Sequence, residues 1–230
     1  MPQLPIIMQD KEKVAFFDFC GTLVPFQSAN AYVRFVVRNY ARPLRRAALA
    51  IIEAARRYHL LGLFLRIFNA KGNDKYLYLK LIKGLGFDIL DSAAKRFYQE
   101  EIRPNIIPEV IGELKRLQDI GYRIVIVSGA FDVYLHYFAA DYNIADIVSS
   151  KLEFSDGHFS GRLSGPDCMG EAKVRELERC FSRQGIYCVA FSDGASDVPL
   201  LAWADKGYAV SKRPSWIVSN SLTEFWWNEK

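Results

Sequence analysis

The chain has 230 residues, of which half are apolar and 24% are charged, and its net charge is a modest +4. This is enough apolar material to bury the core of one α/β domain with an inserted module, so we expect a globular protein. The best candidate for a membrane span, residues 47–65, is interrupted by Glu53, Arg56 and Arg57, which excludes a transmembrane helix there.

The N-terminus and the cysteines favour a cytoplasmic location. Residues 1–5 lack the basic start and the small-residue cleavage site of a signal peptide. The four cysteines show no Cys-x-x-Cys spacing, and no nearby histidine cluster completes a zinc site. A reducing cytoplasm is the simplest setting for such a chain.

Short β-type runs alternate with helical patterns along the chain. The runs cover Lys13–Phe19, Arg123–Val127, Ile144–Val148, Ile186–Phe191 and Gly207–Val210. Strands interleaved with helices predict an α/β fold whose parallel sheet is covered by helices on both faces.

The stretch from Ser28 to about Phe97 has no strand pattern and is typical of an inserted helical module. Residues 28–90 carry twelve Lys and Arg against three Asp and Glu, a net +9, so the rest of the chain carries 4 − 9 = −5. Arg34, Arg38 and Arg42 recur at i, i+4 and i+8. This stripe is either a solvated face or a surface for an anion or a membrane.

Polar side chains follow three of the predicted strands. Asp18 comes at the end of the first run, Ser128-Gly129 after the second, and Asp193 with Asp197 after the fourth. Ligands bind outside the carboxyl ends of strands in α/β folds, so we expect these groups at one edge of the sheet. The carboxylates are hard oxygen ligands that suit Mg²⁺, and the Ser-Gly turn is able to cradle a phosphate.

These segments, with Lys173 at a predicted helix start, follow one another in a specific order. Asp18-Phe-Cys-Gly-Thr, Ser128, Lys173 and Ser192-Asp193-(three residues)-Asp197 resemble the four motifs of the haloacid dehalogenase superfamily. Residues 151–173 resemble its phosphoserine-phosphatase-like branch, subfamily IB. The resemblance implies a Rossmann-like core domain at 1–24 and 101–230, and a helical type I cap at 25–100.

The resemblance also implies roles for the metal-binding and reacting residues. Asp18 would be the nucleophile that takes the phosphoryl group. Mg²⁺ would be held by the Asp18 carboxylate, the backbone carbonyl of Cys20 and Asp193, with Asp197 orienting a metal-bound water or Lys173. Lys173 would neutralise charge on the nucleophile and the phosphate.

The phosphate side of the site follows from the same resemblance. The Ser128 hydroxyl and the amides of Gly21 and Gly129 would bind the phosphoryl oxygens. Thr22 and Gln27 are the remaining residues that we expect on the substrate side.

Cys20 departs from the superfamily pattern. Its phosphatases carry an aspartate two residues after the nucleophile, which protonates the leaving oxygen and then activates water. A thiol has an ordinary pKa of about 8.5, so it is a weak acid and, when neutral, no base. General acid–base catalysis is worth about 10² to 10⁴ in rate, so we expect slow hydrolysis.

Gln27 departs from the phosphoserine phosphatases. It lies nine residues after Asp18, where those enzymes resemble one another in carrying a glutamate for the amino group of the substrate. A neutral Gln27 makes phosphoserine a poor candidate substrate.

The leading hypothesis is a Mg²⁺-dependent phosphomonoester hydrolase that acts slowly, through an aspartyl phosphate, on a small anionic phosphorylated metabolite, with no nucleic-acid partner. One alternative is a phospholigand-binding or regulatory protein with little turnover. The other is a membrane-peripheral enzyme acting on a phospholipid headgroup, which the basic, aromatic-rich cap favours.

Three further features are weaker candidates. The run Phe154 to Gly161 predicts a β-hairpin near the sheet edge, with His158 as the best replacement base. Phe225-Trp226-Trp227 predicts packing against the core, or contact with a membrane or partner. Arginines beside residues 60–68 are possible contacts for an anionic membrane: Arg45, Arg46, Arg56, Arg57 and Arg66.

Overall fold

The computed structural model of the chain describes residues 11–58, 74–211 and 222–226. Its strands are β1 (Glu12–Phe17), β2 (Arg123–Phe131), β3 (Asp146–Ser150), β4 (Leu152–Ser155), β5 (His158–Leu163), β6 (Ile186–Ser192), β7 (Lys206–Ser211) and β8 (Leu222–Trp226). Within these residues β3-β2-β1-β6-β7-β8 form one sheet in that order, and every neighbouring pair is parallel. The predicted α/β fold with a parallel sheet is confirmed.

The centre of the sheet determines where the polar residues of the motifs lie. β1 is buried on both faces from Val14 to Phe17, as expected for a central parallel strand with a continuous apolar run. Phe17 is level with Ile126 of β2 and with Phe191 of β6. Because the three strands are parallel and in register, the residues that follow them emerge at the same edge.

The helices fall into two groups along the chain. The first group is α1 (Ser28–Tyr40), α2 (Pro43–Arg57), α3 (Asp74–Ile82) and α4 (Phe87–Phe97). The second group is α5 (Pro108–Asp119), α6 (Asp132–Asp141), α7 (Glu171–Cys180) and α8 (Val198–Trp203). A π-helical turn, Tyr98–Ile102, continues directly from α4, so the predicted domain boundary at residue 100 falls within a helical run.

An aromatic cluster joins the first group of helices to the sheet. The ring of Tyr32, on α1, contacts those of Phe97, Phe131 and Tyr134, and all four side chains are buried. The Tyr32 hydroxyl donates a hydrogen bond of 2.7 Å to the carbonyl of Leu90, so its polar atom is satisfied. Each such ring pair adds about 0.5 to 1.5 kcal/mol beyond the burial of its area.

The predicted hairpin is formed by β4 and β5. Its two turn residues, Asp156 and Gly157, have φ angles of 50° and 74°, which is why Asp-Gly is favoured there. The hairpin is bonded to the segment between α3 and α4, because the Gly84 and Phe87 amides donate to the carbonyls of Phe159 and Gly157. It is therefore anchored to the helical insert along its length.

β8 is a sixth strand that the sequence analysis did not predict. Phe225 and Trp226, expected to pack on the core or meet a partner, are level with Val210 and Ser211 of β7. Trp227, His59, Arg66 and the apolar run at residues 60–68 lie outside the described residues. No helix in the described parts of the chain is long and apolar enough to cross a membrane.

Candidate active site

Asp18 lies directly after β1 and is 7% exposed. Its amide donates to the carbonyl of Phe191, which fixes the backbone to the neighbouring strand. Its Oδ1 accepts from the amide of Phe19 at 2.7 Å and lies 2.9 Å from Nζ of Lys173. Burial raises the pKa of the Asp18 carboxyl; Lys173 opposes this and Asp197 adds to it.

Lys173 lies in the first turn of α7, between two carboxylates. Its side chain is 2% exposed and forms ion pairs with both Asp18 and Asp197. Burial disfavours its charge, but the two carboxylates outweigh burial and raise the pKa of Lys173. The Ser192 hydroxyl donates to Asp197 at 2.6 Å, so the second carboxylate is held from both sides.

The turn after Asp18 is shaped around Asp193. Gly21 has φ +80°, and a Cβ there would collide with the Asp193 carboxylate, so the position requires glycine. The hydroxyl of Thr22, a fully buried residue, accepts from the amide of Asp193 at 3.0 Å. Neither Gly21 nor Thr22 lines the cavity beside Asp18, and the Gly21 amide donates to the carbonyl of Val24.

Ser128 and Gly129 lie across from Asp18 in the last part of β2, where its pairing with β3 is irregular between Ser128 and Phe131. Ser128 is 1% exposed, and its Oγ accepts from the amide of Ala130 at 3.3 Å. A Cβ on Gly129 would lie 2.6 Å from Cγ of Met169, so the approach of that side chain requires a glycine.

A cavity of about 310 Å³ opens in front of these groups. Most residues that the sequence analysis assigned to the site line it: Asp18, Cys20, Gln27, Ser128, Gly129, Lys173, Asp193 and Asp197. Its opposite wall comes from the helical insert, where three cations, Arg34, Arg56 and Lys75, outnumber one acid, Asp74. Parallel register of β1, β2 and β6, and the inserted helices, therefore bring residues far apart in sequence into one chamber.

Asp193 is the third carboxylate, beside Asp18 and Asp197, at the sheet edge that forms the floor of the cavity. Burial, followed by the charge of Asp18, raises the pKa of Asp193 to about 7. Asp18, Asp193 and Asp197 together face one buried lysine, Lys173, so the negative charge exceeds the positive charge beside it. The described residues contain no cluster of three or more His, Cys, Asp or Glu side chains arranged to hold a metal.

The thiol of Cys20 faces the start of α1. Its Sγ lies 3.0 Å from Oγ of Ser28 and accepts from the Ser28 amide at 3.3 Å. Ser28 Oγ lies 2.7 Å from the hydroxyl of Tyr134, which makes a buried chain of three polar groups. Burial, reinforced by Asp18, raises the pKa of the Cys20 thiol to about 11, so the thiol is neutral at pH 7.

The structure brings one residue of the arginine stripe to the cavity and leaves the other two, and His158, outside it. Arg34 lines the cavity, and its Nη1 lies 3.6 Å from Oε1 of Glu53. Arg38 and Arg42 are exposed and do not line the cavity. His158 is also exposed and outside the cavity lining, and its Nδ1 bonds the carbonyl of Asp156.

Lys75 is a site residue that the sequence analysis missed. It is 5% exposed on α3, and its Nζ donates to the Gly129 carbonyl at 2.6 Å and to Asp167 at 2.5 Å. Ser150 Oγ donates to the same Asp167 oxygen at 2.8 Å. Lys75 thus ties the insert to the last part of β2 and to the loop that precedes Lys173. No motif marks this residue, because only the folded chain brings α3 to Gly129.

Comparison with known proteins agrees with this geometry. The family model of haloacid dehalogenase-like hydrolases matches residues 15–202. The chain therefore belongs to the haloacid dehalogenase-like hydrolase family. The resemblance to its phosphoserine-phosphatase-like branch is likewise confirmed, by the relatives described next.

The curated relatives include phosphoserine phosphatases. Phosphoserine phosphatase SerB2 of Mycobacterium tuberculosis is 27% identical over 137 residues, which cover 58% of this chain and 32% of that protein. The phosphoserine phosphatase of Methanocaldococcus jannaschii is 23% identical over 215 residues, 90% of this chain and 89% of that protein. Across the first six curated relatives the match spans between 32% and 61% of their length.

A solved structure shares the fold over nearly the whole chain. A protein of unknown function from Bordetella pertussis Tohama I superposes with a TM-score of 0.71 at 20% identity. The superposition covers 89% of this chain and 92% of that one. At this identity the likeness supports the fold alone.

We predict that Lys75→Met destabilises the protein by about 3 kcal/mol, the lower end for a broken buried pair, because it removes the cation from the Asp167 carboxylate, whose side chain is only 14% exposed. Urea denaturation followed by circular dichroism measures the loss. Lys95→Met, an exposed lysine on α4, is the matched control and should stay within about 0.5 kcal/mol of the parent. Adding Asp167→Asn to Lys75→Met should recover part of the loss; equal stability of all four proteins would contradict the buried pair.

Proposed function

We propose that this protein is a Mg²⁺-dependent phosphomonoester hydrolase that acts through an aspartyl phosphate on a small anionic phosphorylated molecule. The observation that carries the proposal is the buried Asp18, bound by Lys173 and facing a cavity that Ser128 and Gly129 also line. A carboxylate held at the carboxyl edge of a parallel sheet, beside a fixed cation and a Ser-Gly turn, suits phosphoryl transfer.

In the first step a carboxylate oxygen of Asp18 forms a bond to phosphorus while the bond from phosphorus to the ester oxygen breaks. Lys173 favours the ionised form of Asp18 against burial, because its ammonium lies 2.9 Å from the nucleophile. Ser128 is positioned to donate to a phosphoryl oxygen. The leaving oxygen takes a proton from water and departs as an alcohol.

In the second step water attacks the phosphorus of the aspartyl phosphate, the bond to Asp18 breaks, and phosphate leaves with Asp18 restored. A base that removes a proton from this water would speed the step. The Cys20 thiol is neutral, so it cannot take that role. Dephosphorylation is therefore the step that we expect to limit the rate.

The donor set fits a divalent cation. Asp18, Asp193 and the Cys20 carbonyl offer hard oxygen ligands, and the excess of carboxylates over lysine at the cavity floor leaves negative charge for a cation to neutralise. Asp197 is turned towards Lys173 and Ser192, so it would act on the site through those groups. Mg²⁺ bound there would stabilise charge that develops on the transferring phosphoryl group.

The helical insert supports an anionic substrate. Residues 25–100 contribute Gln27, Arg34, Arg56 and Lys75 to the cavity, opposite the nucleophile, and we propose that they form a cap over a core at 1–24 and 101–230. The matched relatives are named for phosphoserine, but Gln27 is neutral where the resemblance to that branch implies a glutamate for the amino group of the substrate. We therefore expect a substrate whose distal group is an anion without an amine.

The competing function is a phospholigand-binding protein with little turnover. The neutral Cys20 thiol favours it, because binding needs the cavity and its cations but not an acid or base.

The location that we propose is the cytoplasm. The four cysteines are free, which fits the expected reducing compartment.

We predict that Asp18→Asn abolishes Mg²⁺-dependent phosphate release from a panel of phosphate esters, because the amide is not a nucleophile. A malachite-green assay measures the phosphate. Asp88→Asn, on the exposed part of α4, is the matched control and should keep full activity. Tight binding of phosphate esters by the parent without any release that depends on Asp18 would instead establish the phospholigand-binding protein.

We predict that Cys20→Asp raises kcat by about 10² to 10⁴, because the carboxylate restores an acid and base beside the scissile bond. The Ser28 amide, which now donates to Sγ, would hold the new carboxylate. Cys20→Ser is the isosteric control and should leave kcat near that of the parent. An unchanged or lower kcat for Cys20→Asp on a turned-over ester would refute this account of Cys20.

We predict that Mg²⁺ binds more weakly below pH 7. In the metal-free protein the pKa of Asp193 is raised to about 7, so below that pH Mg²⁺ must displace its proton, whereas above it the carboxylate is already charged. Isothermal titration calorimetry should show an affinity that falls as pH decreases from 8 to 6, roughly tenfold per unit once below 7. Asp193→Asn should remove both the binding and its pH dependence; a pH-independent affinity would contradict the assignment of Asp193.

A further inference from the structure

The second helix of the insert, α2, carries an apolar stripe on its outer side. Leu44 and Ile51, on α2, and Tyr58, which directly follows its last residue, are 83%, 56% and 70% exposed. Leu44 and Ile51 are seven residues apart, almost two full turns, so they lie on one line along the helix, and Tyr58 follows at the same spacing just beyond its end. Leu49 and Ile52, on another side of the helix, are buried. The helix therefore has a second apolar face that the described residues leave exposed.

Exposed arginines border this stripe. Arg46 and Arg57 are eleven residues apart, about three turns, so they share a second line along the helix. Alanines lie between the two lines: Ala47, Ala50 and Ala54. Residues 42–58 contain five arginines and one acid, Glu53, a net +4, and Glu53 is turned to Tyr78 and Arg34.

We propose that the outer face of α2, defined by Leu44, Ile51, Tyr58, Arg46 and Arg57, docks this protein on the surface of an anionic lipid bilayer. A helix with one apolar face and a basic border lies in the plane of a bilayer surface, its apolar side chains among the acyl chains and its arginines at the headgroups. The inference does not depend on phosphatase activity.

Charge decides between the possible occupants of this face. A second copy would bring two +4 helices together, which like-charge repulsion disfavours. An anionic bilayer supplies both apolar acyl chains and the opposite charge. Arg56, on the same helix, lines the cavity, so docking through α2 would hold the cavity close to the bilayer surface.

The test is sedimentation of the full chain with vesicles of phosphatidylcholine alone and of phosphatidylcholine mixed with phosphatidylglycerol. At low salt we expect at least about tenfold more protein bound to the mixed vesicles, and a loss of that excess at high salt. Leu44→Asn with Ile51→Asn, and separately Arg46→Glu with Arg57→Glu, should each lower binding at least about tenfold. Far-UV circular dichroism and the melting temperature check that each variant is folded.

Matched controls lie on other helices. Ile120→Asn changes a side chain of similar exposure at the end of α5, and Arg175→Glu with Arg179→Glu reverses two exposed charges on α7. These variants should bind as the parent does. Absence of binding to the mixed vesicles, or binding that the α2 and control variants lower equally, would overturn the proposal.

Accessibility separates the bilayer from other occupants. With exposed Cys180 replaced by serine, an Ile51→Cys variant should react rapidly with a maleimide in solution and slowly with mixed vesicles present. Slow reaction without vesicles would show that residues 59–73 or a second copy covers the face, and would refute docking on lipid. Size-exclusion chromatography with light scattering then distinguishes those two occupants.

Discussion

The site depends on the buried ion cluster in which Lys173 lies between Asp18 and Asp197. Removing such charges from water costs several kcal/mol per ion, and only close opposite charges with satisfied hydrogen bonds offset that cost. Lys173 is 2.9 Å from Asp18 and is also paired with Asp197, which Ser192 holds from its other side. Each member comes from a different segment of the chain, so the cluster fixes β1, α7 and the end of β6 relative to one another. Loss of the lysine would leave two carboxylates buried without a cation.

The uneven distribution of charge along the sequence gives the cavity one wall rich in carboxylates and one rich in cations. The segments outside the insert, net acidic, provide a floor of carboxylates at the sheet edge, whereas the basic insert provides Arg34, Arg56 and Lys75 on the opposite wall. A phosphorylated ligand bound between them would meet cations on both sides, Lys173 below and the insert above. The Lys75 contacts with Gly129 and Asp167 fix the position of the basic wall, because they tie it to the last part of β2, beside the nucleophile.

The sequence predicted those parts of the molecule that local pattern determines. The five predicted strands exist within a few residues, because continuous apolar runs ending in polar turns are typical of buried parallel strands, and the motif residues follow them. β8 was missed because an aromatic run bordered by polar residues predicts packing or binding as readily as a strand. Lys75 was missed for a different reason: its burial arises from contacts with residues 54 and 92 positions away, which no local pattern encodes.

Cys20 changes the chemistry of the site while its surroundings remain suited to a carboxylate. The Ser28 amide points at Sγ from the start of α1, and backbone amides at a helix N-terminus stabilise negative charge. Ser28 Oγ and the Tyr134 hydroxyl extend this polar environment, and the Phe131 amide donates to Tyr134, so the chain is anchored to the end of β2. A neutral thiol uses these donors only weakly, because sulfur is a poor acceptor. The position therefore offers hydrogen-bond donors that a carboxylate would use better than the thiol does, although burial and Asp18 oppose an anion there. The departure from the family pattern concerns the reacting group rather than the fold that presents it.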